Sequence, residues 1–85
     1  LEALVAIHEA VEALLCRDRG ISIERIDEFD EEFEAARAPG NYDEPGDDAH
    51  APYYEEHQVA TAIERLMAGE LGVRWADHER ALAEL

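Results

Sequence analysis

Residues 1–20 read LEALVAIHEAVEALLCRDRG, and their punctuation sets the architecture. Leu4, Ile7, Val11, Leu14 and Leu15 recur at three- and four-residue spacing, the period of one helix face, while Glu2, Glu9 and Glu12 take other faces. Arg17 and Arg19 fall in the last turn, where cations favour the negative end of the helix dipole. Gly20 then offers the left-handed residue that commonly stops a helix. A helix over about 1–19 follows, and His8 beside its apolar stripe reads as a partly buried core residue.

The chain restarts at once. Ser22 can cap a second helix, expected over about 22–38, and Ile21 can staple onto Ile26 across its first turn. Ile26, Phe29 and Phe33 form its stripe, among acids at Glu24, Asp27, Glu28, Asp30, Glu31 and Glu32. Residues 39–51, PGNYDEPGDDAHA, have no period and read as a mobile loop with Tyr42 as an anchor. Pro52 suits the first turn of a third helix over about 52–69, whose buried face is expected from Val59, Ile63, Leu66 and Met67, with Gly69 or Gly72 as its stop. Val73 and Trp75 lead into a fourth helix over about 74–85 carrying Leu82 and Leu85. Nothing alternates with period two. The expected fold is all-α, a single domain with two helical hairpins joined by an acidic loop.

Composition narrows the function. At 85 residues the core must be thin, and many of the 47% hydrophobic residues are alanine. A net charge of −15 repels a phosphate backbone and an anionic membrane, so neither nucleic acid nor a bilayer is an expected partner. Cys16, the single cysteine, excludes an internal disulfide and reads as a small buried hydrophobe, which with the lack of a signal peptide points to a cytoplasmic setting.

No catalytic constellation stands out. Asp47, Asp48 and His50 lie in a loop and read as solvated charge, not as a metal site. Glu55, Glu56 and His57 open a helix, where acids favour the positive dipole end. Paired carboxylates for acid–base work need a cleft, and the acids here fall on what should be open helix faces. There is no metal-spaced Cys–His set, no glycine-rich phosphate loop and no nucleophile paired with a base. No catalytic residue and no bound cofactor or metal is expected on this chain, which reads as an acidic helical interaction module.

One arrangement goes further. The run R-D-R-G-I-S, an acidic helix, a loop, then Pro52-Tyr53-Tyr54 with His57 nearby and Glu64-Arg65-Leu66 resembles the N-terminal helical domain of the nitrile hydratase β subunit. The resemblance runs from about Leu4 to Leu85. The same module recurs as a separate small subunit in three-component nitrile hydratases and thiocyanate hydrolase, and as the nitrile hydratase accessory (activator) protein. It implies docking on an α-type subunit that carries cobalt or iron and hydrates a nitrile to an amide, and, in the split arrangement, a separate SH3-like β-type subunit beside it. Tyr53, Tyr54, His57, Arg65 and Arg25 are then the candidate partner contacts, one tyrosine turned into the core and the other toward the partner. Two departures stand out. Asp27 occupies the position where family enzymes place an arginine that reaches the metal's oxidised cysteine ligands, with Arg25 two residues away. The stretch from Tyr54 to Glu64 is also about two residues longer than the family pattern.

Overall fold

A computed structural model describes residues 2–84. The chain is all-α, with α1 at Glu2–Asp18, α2 at Ile23–Ala35, α3 at Tyr54–Glu70 and α4 at Trp75–Ala83, and no strand among the described residues. Leu1 and Leu85, expected in the terminal helices, lie outside them. No described helix is long and apolar enough to cross a membrane.

The stops and starts have local causes. Gly20 takes φ 71°, which lets its own amide bond Arg17 O and the Ile21 amide bond Cys16 O at 2.9 Å, tying off the last carbonyls of α1. Gly72 repeats the arrangement after α3, with the Val73 amide on Ala68 O at 2.8 Å, so the stop falls at Gly72 and not at Gly69. The Ser22 hydroxyl accepts the Arg25 amide at 3.2 Å, capping α2. Ile21 and Ile26 pack into one cluster with Phe29 and Tyr54 around Cys16, Ala51 and Tyr53. α2 ends at Ala35, three residues before the expected Ala38. Beyond it the Arg37 guanidinium holds Glu34 and the carbonyls of Asn41 and Asp43, which fastens the start of the loop. Pro52 stands outside α3, whose first turn begins at Tyr54.

The principal packing is across the loop, α1 against α3. The row of α1 turned toward the interior is Leu4, His8, Glu12 and Cys16, and the matching row of α3 is Glu56, Ala60, Glu64 and Ala68. Both are strict four-residue ridges, the kind that interlock when helices pack. This corrects two expected faces. Leu14 is 67% exposed, and Val59 and Leu66 are 40% and 65% exposed, so the third helix buries acids and alanines where aliphatics were expected. Phe33 is only half-buried, with Arg37 over its ring at 5.1 Å.

Among the described residues, six apolar side chains are buried (Leu4, Cys16, Ala51, Tyr53, Ala60, Ala68) against five ionisable ones (His8, Glu56, His57, Glu64, His78). Such a core depends on its polar groups finding one another. The molecule is also flat, 35 × 35 × 19 Å, and its radius of gyration of 13.2 Å exceeds the value of about 12 Å for a compact domain of this length.

Candidate functional site

The buried ionisable groups come to one place because both interior ridges carry them. His8 and Glu12 sit one turn apart on α1, and His57 and Glu64 face them from α3. His8 Nε2 lies 3.0 Å from Glu12 Oε2 and 3.2 Å from His57 Nδ1, and His57 Nδ1 lies 2.8 Å from the same Glu12 oxygen. These three donor atoms form a nearly equilateral triangle. His8 and His57 are 7% and 4% exposed, so the triangle is closed off from bulk water on its protein side.

Glu64 and His78 hold the triangle from behind. His8 Nδ1 meets Glu64 Oε1 at 2.7 Å, and the other Glu64 oxygen pairs with Nε2 of the fully buried His78. Since a carboxylate only accepts, the charged His8 ring donates from Nδ1 to Glu64 and from Nε2 to Glu12, and a neutral ring that keeps its proton on Nδ1 for Glu64 presents Nε2 as a lone pair facing the triangle. On the far side of His57, Glu44 Oε2 and Asp47 Oδ1 lie 3.1 and 3.2 Å from Nε2. They lie off the direction of its N–H, so this buried nitrogen has no hydrogen-bond partner; neither has Nδ1 of His78.

The electrostatics follow from the crowding of acids. Burial alone would raise the Glu12 carboxyl, but hydrogen bonds with His57 and His8 outweigh it and hold it at about 2. Burial would lower His57, yet Glu12 and Glu44 push it up to about 10. His8 is raised for the same reason, burial working against its bond with Glu12. Contact with His57 holds Glu44 below the usual carboxylate range. The interior therefore demands positive charge, which protons on imidazole supply when nothing else does.

A cavity of about 240 Å³ opens beside the triangle, lined by Val5, Glu9, Asp30, Glu44, Tyr53 and Leu82 as well as the donors themselves. The Tyr53 hydroxyl closes one wall by donating to Asp30 at 2.5 Å. Burial raises both groups; the hydrogen bond between them adds to the rise at Tyr53 and works against it at Asp30.

Gly46 completes the wall. It is the buried residue of a single 3-10 turn, Pro45–Asp47, that brings the acidic loop against α3. A Cβ there would stand 2.9 Å from the His57 Cβ and closer still to Cγ and Nδ1. Gly46→Ala should therefore move either the turn or the ring, destabilising the chain by about 1–3 kcal/mol. Urea denaturation measures the loss, and the His57 ring resonances should shift with it.

The sequence-predicted residues divide. Tyr53 is buried and Tyr54 half-buried, so the pair splits between core and periphery. His57, expected as a helix-opening group and a partner contact, is corrected to an inward member of the cluster. Glu56, also expected at the helix mouth, is buried and paired with Arg19 at 2.7 Å. Arg65 is exposed over the Trp75 ring at 5.4 Å, and Arg25 is exposed on α2. The Asp48 carboxylate accepts from the His50 amide and meets its ring, outside the cluster, whereas Asp47 turns toward His57 and accepts from Gln58. The expectation that the acids occupy open faces is thus overturned at Glu12, Glu56 and Glu64. Glu12, Glu44, Glu64 and His78 join the site only through the fold. One sequence signal was there: His8 and Glu12 share the four-residue row of Leu4 and Cys16.

Comparison of the chain with protein-family models, with curated proteins and with solved structures finds no match.

Proposed function

We propose that this chain is a non-catalytic helical component of a nitrile hydratase-type system, a β-type module that docks on a cobalt- or iron-bearing α-type subunit. The reading rests on the resemblance of Pro52-Tyr53-Tyr54 and Glu64-Arg65-Leu66. The observation that carries it is the division of labour in the tyrosine pair: Tyr53 is locked inside by Asp30, while Tyr54 keeps part of its ring at the surface. Large aliphatic side chains left outside at Leu14, Ile23, Leu66 and Leu71, 58–72% exposed, suit a module whose thin core is completed by another chain.

A second reading, an accessory protein that loads the metal and leaves, draws on Asp27. This exposed carboxylate stands where the enzymes place an arginine, and it cannot donate to oxidised cysteine ligands.

Co-expression with an α-type chain bearing a Cys-x-x-Cys-Ser-Cys motif tests both. The expected result is a complex, weakened by Tyr54→Ala while the helical content of the isolated chain is retained. A complex kept in the active enzyme identifies a subunit; one that forms and dissociates on metallation identifies an accessory protein. No complex in either metallation state, or a Tyr54→Ala chain that assembles like the parent, overturns the proposal.

A further inference from the structure

We propose that His8, Glu12 and His57 form a binding site for a divalent first-row transition ion on this chain itself. The inference stands on the geometry of the cluster and is independent of the docking reading above.

Three features carry it. The first is the triangle: donors about 2.0–2.2 Å from a cation stand roughly 3 Å apart in octahedral and roughly 3.4 Å apart in tetrahedral geometry, and the observed edges of 2.8, 3.0 and 3.2 Å match three neighbouring positions of an octahedron. The two imidazole nitrogens 3.2 Å apart can share one proton or bond the Glu12 carboxylate between them; with both deprotonated, their two lone pairs and the carboxylate meet at one point that a cation can occupy.

The second feature is the outer shell. A ligating histidine almost always gives its other N–H to a carboxylate, which fixes the tautomer and raises the ring's basicity. His8 does this with Glu64. His57, 4% exposed, turns its other nitrogen toward Glu44 and Asp47 but finds no hydrogen bond there. The third is charge. Glu12, Glu44, Asp47 and Glu64 are four acids against the three imidazoles of His8, His57 and His78, an excess of negative groups that a doubly charged ion offsets at one point.

The donor set selects the ion. Two nitrogens and one carboxylate suit zinc, cobalt(II) or iron(II), whereas magnesium and calcium prefer oxygen throughout. The three donors line the 240 Å³ cavity, which leaves room for water at the remaining coordination positions.

The test uses the full chain, stripped with chelator and titrated with cobalt(II) and zinc. One equivalent should bind, the cobalt form should show visible d–d absorption, and the melting temperature should rise with metal concentration, none of which magnesium reproduces. Glu12→Gln removes a ligand from a largely buried position on one helix and should weaken binding by more than the about 10–100-fold that loss of a partner hydrogen-bonded to a ligand costs. His50→Ala, an exposed histidine outside the cluster, should leave it unchanged. If the parent chain takes up no stoichiometric cobalt or zinc, if Glu12→Gln binds as tightly as the parent, or if His50→Ala abolishes uptake, the site does not exist.

Discussion

Glu64→Leu should destabilise the metal-free chain by about 3–5 kcal/mol, the cost of removing one partner from a buried, hydrogen-bonded ionic pair. The carboxylate is 3% exposed as a residue and serves two rings at once, His8 through one oxygen and His78 through the other. Leucine fills the space but accepts nothing, so two buried imidazoles lose their acceptor together. Glu64→Gln keeps a carbonyl oxygen for one of the two rings and should fall well short of the leucine variant. For a chain of 85 residues, total stability is on the order of 4–13 kcal/mol, so the leucine variant should be marginal at room temperature. Urea denaturation in the presence of chelator measures both. A Glu64→Leu chain within about 1 kcal/mol of the parent would mean that the polar network does not hold α1 to α3.

The cluster was hidden in the sequence for a physical reason. Helix ends depend on neighbours a few residues apart, and Gly20, Ser22, Gly72 and the Ile21–Ile26 staple were legible because their partners lie within one or two turns. The site depends on partners 56, 49 and 45 positions away, His8 with Glu64, His8 with His57 and Glu12 with His57. Apolar periodicity cannot register such contacts, because it assigns the interior to whichever face holds the most aliphatics. On α1 that face runs through Ile7, Val11 and Leu14, yet the ridge that interlocks with α3 is the one carrying His8 and Glu12. The same blindness covers the loop. Nothing local distinguishes Gly46 from the other turn residues; its closeness to His57 is a contact between distant segments.

Leu4→Ala is the sharpest test of that reassigned ridge. Leu4 has no exposed surface and is the large aliphatic side chain that the described residues bury completely. Losing three carbons from such a position costs the transfer free energy of those atoms plus a term for whatever hole remains, together about 3–5 kcal/mol. The upper part of that range is expected, because the next residue along the ridge cannot relax into the space: the His8 ring is held by Glu64 on one nitrogen and by Glu12 and His57 on the other. Leu14→Ala makes the same chemical change on the same helix at a position 67% exposed, and should alter stability by no more than about 0.5 kcal/mol. Apolar spacing alone treats the two leucines as equivalent members of one stripe, so the pair separates the two accounts of α1. Equal losses in chemical denaturation would return the interior face to the aliphatic stripe and leave His8 and Glu12 at its margin; a large loss at Leu4 alone makes the ridge that buries the histidine the one on which the helix folds.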